Sequence, residues 1–99
     1  MISFVRTAGI ATGKTASMLT FAKEISTHFE KNYDVKLEVL LPIGGNPQRV
    51  AWSARYKDLA ALEAVNVKLR ADKAYWELVN KHSGDFVSGS LRDAIWTTV

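Results

Sequence analysis

The order of apolar and polar positions sets out strands and helices in alternation. Ile2 through Ala8 is rich in β-branched and aromatic side chains and stops at Gly9, as a strand does. From Thr15 to Lys31 the apolar positions Met18, Phe21, Ala22, Ile25 and Phe29 recur at helical spacing, and Asn32, which tolerates a left-handed backbone, is placed to stop that helix. Alternation by two returns at Val35, Leu37, Val39 and Leu41 and ends at Pro42. Gly44-Gly45-Asn46-Pro47 supplies turn residues, and a second strand of the hairpin runs from Val50 to Tyr56 with Val50, Trp52, Ala54 and Tyr56 on one face. Asp58 is a good N-cap for a helical stretch carrying Leu59, Leu62, Val65 and Leu69. Asp72 caps a renewed helix holding Tyr75, Trp76, Leu78 and Val79, so a bend is expected near residues 70 to 73. Lys81 and His82 suit the negative end of the helix dipole, Gly84 is placed to end it, and a fourth strand follows over Ser90 to Thr97.

One helix between the first two strands and another between the last two make two split βαβ units. Their stable packing is an α+β, ferredoxin-like β-α-β-β-α-β domain: a four-stranded antiparallel sheet with both helices on one face. Those helices cover one face only, yet apolar residues fall on both. Ile2 and Phe4 alternate with Val5, Leu40 lies among the opposite positions, and Ile95 stands beside Trp96. The economical cover for the second face is another copy of the chain, two sheets meeting as a dimeric α+β barrel, so a homodimer is expected.

Composition narrows this picture. Ninety-nine residues at 47% hydrophobic suit a single domain over residues 1–99 with one core. No apolar run approaches the roughly 20 residues that cross a bilayer, and MISFVRTAGIATGK lacks the layout of a signal peptide, so no membrane association and a cytoplasmic location are expected. The absence of cysteine excludes disulfides, thiolate metal sites and cysteine nucleophiles. A net charge of +3, spread without runs, describes a solvated surface of mixed sign and argues against nucleic acid.

Two motifs invite other readings. Ala8 to Thr15, AGIATGKT, fits a relaxed phosphate loop between a strand and a helix, with Lys14 and Thr15 in the phosphate and Mg²⁺ positions. That chemistry needs a parallel sheet and a strand ending in a metal-binding Asp, whereas VKLEVLLP ends in proline and enters a hairpin, so a plain connection is expected. The element order also belongs to RNA-recognition domains, but RVAWSARY lacks their glycine and aromatic spacing.

The element order, the long bent second helix and the strings Gly44-Gly45-Asn46-Pro47, Trp52-Ser53-Ala54-Arg55-Tyr56 and Gly89-Ser90-Leu91-Arg92-Asp93 carry a likeness over essentially the whole length. The chain resembles small bacterial proteins of the dimeric α+β barrel superfamily, on the side of its NIPSNAP-like and antibiotic-biosynthesis-monooxygenase-like members. Some members are cofactor-free monooxygenases acting on electron-rich aromatic substrates, others degrade or bind haem, and many have no assigned activity. The resemblance implies a pocket for a small aromatic or haem-like ligand, with no resident cofactor. A monooxygenase-like enzyme and a non-catalytic binding or interaction module are its two functional readings.

The pocket candidates are Arg6, Trp52, Tyr56, Trp76 and Arg92. Trp52 and Tyr56 share a strand face, where a ligand pocket and a plain core both account for them, and Trp76 lies in a helical stripe where a large ring packs in the core. Arg6 alternates with Phe4 and Ala8 in a strand expected at the centre of the sheet; a charge there needs an anion, and Glu38 or Asp93 can supply it. Arg92 and Asp93 point to opposite faces and are free to meet a partner copy. His28 and His82 lack a second ligand at metal spacing, so both are expected at the surface and no metal site is expected. With no Ser-His-Asp order or carboxylate pair, any catalysis would draw its reactivity from the substrate.

Overall fold

The computed structural model describes residues Met1 to Val99. Strand β1 (Ile2–Gly9), helix α1 (Thr15–Tyr33), strands β2 (Glu38–Leu40) and β3 (Arg49–Tyr56), helices α2 (Leu59–Arg70) and α3 (Lys73–Lys81) and strand β4 (Arg92–Thr97) follow in that order, with a 3₁₀ turn at Ser83–Asp85. The strands form one antiparallel sheet in the order β2-β3-β1-β4, the ferredoxin-like arrangement, with β1 central. No helix is long and apolar enough to cross a membrane.

Register decides which side chains meet the helices. Ile2, Phe4, Arg6 and Ala8 of β1 lie level with Tyr56, Ala54, Trp52 and Val50 of β3, and all face α1 and the α2–α3 pair. The predicted stripe of α1, Met18, Phe21, Ala22, Ile25 and Phe29, is buried against them, with Met18 and Val50 fully enclosed. The other face of the sheet carries no helix.

Two local departures have physical causes, and one expected connection is confirmed. Helix α1 runs on to Tyr33, and Asp34 rather than Asn32 takes the left-handed conformation at φ 53°. The ring of Tyr33 packs on Phe29 and its hydroxyl reaches Asp72, which holds one more turn in place. Strand β2 is shorter than the alternation over Val35–Leu41 predicts, because Val35 and Leu37 drop into the core as extended chain before the ladder to β3 begins. The segment resembling a phosphate loop is a connection with Gly13 at φ 78° and Lys14 exposed, in a sheet without parallel pairs.

The expected bend separates α2 from α3, and the two contribute little to the core: α2 buries Leu62 alone and α3 buries no residue fully. Tyr75, Leu78 and Val79 of α3 pack against the core in part, and polar groups at the ends of this helix hold it further. Asp72 caps it through the Tyr75 N–H at 3.0 Å, and its second oxygen accepts from His28 Nε2 at 2.7 Å and from the Tyr33 hydroxyl, both on α1. At the other end His82 Nδ1 donates to Asp85 Oδ2 at 2.8 Å, an oxygen that also accepts from Ser17 of α1 at 2.8 Å. Both histidines therefore lie inside rather than at the surface, His82 only 6% exposed and the His28 side chain 14%. Each found an aspartate partner that metal-ligand spacing does not look for.

Burial alone would raise the Asp72 carboxyl, but the hydrogen bonds from Tyr33, His28 and the Tyr75 amide outweigh it and hold the group at about 2. Burial, followed by the contact with Asp72, pushes the Tyr33 phenol up to about 12. Because the folded-state value of Asp72 lies below its ordinary 3.8, the stability it contributes is complete above that value and is lost as pH falls towards about 2. Asp72→Ala should cost about 2 to 3 kcal/mol at neutral pH, adding a lost helix cap to two stranded donors. Urea denaturation should show that loss, and the acid limb of the wild-type stability curve between about pH 4 and 2 should flatten in the variant.

Candidate functional site

Since α2 and α3 bury so little against the sheet, a cavity of about 490 Å³ remains between them. Its floor is the helix-facing side of the central strands, Phe4, Arg6, Trp52 and Tyr56. Phe21, Ile25 and Phe29 of α1 form one wall, Leu62, Asn66 and Leu69 of α2 with Tyr75, Trp76 and Val79 of α3 the opposite one, and Phe86 to Leu91 a third side. Sixteen of the 22 lining residues are hydrophobic, and the volume falls within the ~300–1,000 Å³ usual for small-molecule sites.

The apolar lining is largely aromatic and mutually braced. Phe21, Trp52 and Phe86 meet one another with ring centroids 5.7 to 6.2 Å apart, in edge-on or tilted contacts. Phe29 meets Tyr75 at 6.1 Å, and Tyr75 meets Trp76 at 5.1 Å. The close approach of the third side to β1 depends on Gly9: its amide donates to Ser90 Oγ at 2.9 Å, and a Cβ there would stand 3.3 Å from Ser90.

Polar groups are few and specific. Arg6 donates from Nε and Nη2 to both oxygens of Asp93, at 2.7 and 2.9 Å, and its guanidinium lies 5.5 Å over the Phe4 ring. The hydrogen bond to Asp93 outweighs desolvation and raises the Arg6 pKa further. Arg70, the other charged lining residue, is exposed and lies 3.4 Å from Glu63. Burial raises the Tyr56 phenol, which stays protonated at neutral pH. Trp52 Nε1 is buried with no hydrogen-bond partner, a vacancy that ordinarily costs about 1–3 kcal/mol.

Of the residues singled out from sequence, the structure brings Arg6, Trp52, Tyr56 and Trp76 to this cavity. Trp52 and Tyr56 are at once core and cavity floor, 6% and 8% exposed. Trp76 is not a core residue: 44% exposed, it sits at the lip, because the cap at Asp72 phases α3 so that Tyr75 turns inward. Arg92 lies elsewhere. It pairs with Thr7 on the helix-free face, and its Nη1 donates to the carbonyls of Gly89 and Leu91. Glu38 also falls on that face, level with Ser53, which leaves Asp93 as the carboxylate for Arg6. Sequence reasoning missed Asn66, Tyr75 and Phe86 as lining residues. Tyr75 was visible only as part of a helical stripe, and Phe86 lies in an irregular stretch without periodicity.

The sequence matches no family model and no curated protein. Among solved structures it is similar to a NIPSNAP-family protein of unknown function from Agrobacterium tumefaciens, with 14% identity and a TM-score of 0.84 over 100% of this chain and 88% of that one. A NIPSNAP domain protein from Burkholderia xenovorans matches at 17% identity and a TM-score of 0.84, covering 100% of this chain and 95% of that chain. A Nitrosomonas europaea protein provisionally assigned as an antibiotic biosynthesis monooxygenase matches at 13% identity and a TM-score of 0.76, over 100% and 99% of the two chains. The chain has the fold these proteins share.

The Arg6–Asp93 pair is partly open to water, its side chains 34% and 42% exposed, so screening limits what it contributes. Asp93→Ala should destabilise the chain by about 1 kcal/mol in urea melts at low salt, and by less at high ionic strength. A loss of 3 kcal/mol or more, the size expected of a fully buried pair, would contradict this assignment.

Proposed function

We propose that the chain binds a neutral, flat aromatic molecule in the cavity between its sheet and α2–α3, and that a second copy covers the helix-free face to make a dimeric α+β barrel. The cavity carries the first half of this reading. Sixteen of its 22 lining residues are hydrophobic, and a volume of about 490 Å³ is of the size that small-molecule sites use. The aromatic lining suits a flat apolar body, and the Arg6–Asp93 pair leaves no net charge for an anion to neutralise.

The lining contains no histidine, cysteine or free carboxylate to act as base or nucleophile. This favours binding over acid–base catalysis. The catalytic form of the same reading is a cofactor-free, monooxygenase-like reaction in which an electron-rich aromatic substrate supplies the reactivity, as the likeness to the monooxygenase-like neighbour suggests. A haem-like ligand is the larger alternative for the same space.

The helix-free face supports the second half. Its centre is paved with small side chains, Ser3, Val5, Thr7, Ala51, Ser53 and Ala94, over which another sheet can approach to about 10 Å. Leu40 and Trp96 flank them, 46% and 66% exposed.

Native mass spectrometry of freshly purified protein should show a dimer, twice the 11.0 kDa chain mass, with retained ligand. Val5→Arg, at the centre of the free face, should shift it to monomer in light scattering coupled to size exclusion; a wild-type monomer at micromolar concentration would sink the barrel. Titration with menadione, a neutral naphthoquinone, should quench tryptophan fluorescence saturably in the wild type and in Trp96→Phe, whose lost ring lies outside the cavity. Val79→Trp, which fills the cavity, should abolish that saturation, and a linear, non-saturating response in every form would refute the site. Haemin serves as the probe for the larger ligand class.

A further inference from the structure

We infer that α3 is a movable strap over the cavity, hung at both ends on histidine–aspartate clasps, and that the clasp at its C-terminal end holds it most firmly when His82 carries a proton. The inference uses the cavity-binding reading only to name what the strap covers.

Helix α3 supplies Tyr75, Trp76 and Val79 to the cavity wall, yet none of its residues is fully buried. Besides the partial packing of Tyr75, Leu78 and Val79, two polar sites that reach α1 fasten its ends, Asp72 with His28 and Tyr33 before its first turn, and His82 with Asp85 and Ser17 after its last. An element fastened by partial apolar contact with directional polar ties at its ends can open without unfolding its neighbours.

The clasps differ in one respect. At the N-terminal end both ring nitrogens of neutral His28 are engaged: Nε2 donates to Asp72, and Nδ1 accepts from the Asn32 amide at 3.2 Å. At the C-terminal end only Nδ1 of His82 is engaged. Its Nε2 is buried without a hydrogen-bond partner and stands 3.9 Å from Glu24 Oε1 of α1. Neutral His82 therefore leaves a buried acceptor facing a carboxylate, whereas the imidazolium turns that nitrogen into a donor aimed at Glu24 while Asp85 balances its charge.

The groups facing this ring are Glu24, Ser17 and the Phe21 ring of α1, and Asp85 of the 3₁₀ turn; Lys14 acts on Asp85 from the start of α1, and Lys81 on α3 itself is exposed. Asp85 remains ionised across the imidazole range, since burial, which would raise it, is outweighed by its bonds to His82 and Ser17. Phe21, 5.3 Å from the His82 ring, also meets Trp52 and Phe86, so the clasp abuts the aromatic floor of the cavity. Loss of the His82 proton orphans Nε2 and loosens the strap; its return tightens the strap.

Hydrogen exchange of the ligand-free protein, read by mass spectrometry from about pH 5.5 to about pH 8 and corrected for intrinsic rates, tests this. Protection of Lys73–Lys81 relative to β1 should fall about tenfold as pH rises, the scale of one charge-assisted hydrogen bond. Glu24→Gln, a half-exposed change that leaves the core untouched, should flatten the fall, as should His82→Gln. His28→Gln should lower α3 protection at every pH and keep the slope. Protection of α3 that tracks β1 throughout, or a slope that survives both Glu24→Gln and His82→Gln, would overturn the inference. Failure of the binding reading would appear in the menadione titration and leave this experiment unchanged.

Discussion

Helix α1 and strand β3 interlock through Met18, Phe21, Ala22, Ile25 and Phe29 on one side and Val50, Trp52, Ala54 and Tyr56 on the other, nine of the fourteen buried hydrophobic residues. At about 1.5–3 kcal/mol for each large side chain, their burial is a large part of what holds the first helix on the sheet. The opposite half of the helix layer has no comparable contact, with Leu62 the single fully buried residue of α2 and none on α3. A helix layer tight on one side and slack on the other leaves a space between, and the cavity is that space. The site is thus a consequence of unequal packing within the layer rather than an addition to a finished core.

The tight half was legible in the sequence because it depends on local period. Alternation through Val50 to Tyr56 and the stripe from Met18 to Phe29 each name their buried face without reference to any partner, and the structure buries those residues. The slack half was less legible, for the reason that makes it slack. Trp76 belongs to a periodic stripe but reaches the lip, since periodicity gives the angle around a helix and not how far the helix stands from the sheet. Arg6 shows an intermediate case. Its need for a carboxylate followed from its strand, but the choice between Glu38 and Asp93 required the register, which sets Asp93 beside Arg6 and Glu38 on the other face. His28 and Asp72, 44 residues apart, could be joined only by the tertiary fold.

Asp72 and Asp85 illustrate how one residue type serves two ranges of sequence. Asp72 reads as a helix cap, and it is one, but its second oxygen ties α3 to His28 and Tyr33 of α1. Asp85, at the end of the 3₁₀ turn, accepts from His82 nearby and Ser17 far away, while its backbone carbonyl accepts from the Ala11 amide after β1. Apolar anchoring of α3 would have required larger side chains directed at the sheet, where they would occupy the cavity. Polar ties at the helix ends hold the wall while leaving its inner surface clear, at the cost of burying groups that must be satisfied.

The same economy bears on what the cavity selects. An anionic ligand drawn to Arg6 would have to displace a carboxylate already bound through two hydrogen bonds of 2.7 and 2.9 Å, leaving Asp93 beside the newcomer as a like charge. A neutral ring system would meet no such competition and would lie against Phe21, Phe29 and Phe86. Solved structures at 13% to 17% identity share the fold without fixing these side chains, so any choice of ligand would rest on the lining and not on the architecture. Asp93 on β4 neutralises Arg6 from beside that lining, and removing its charge would leave Arg6 as an unpaired cation at the cavity.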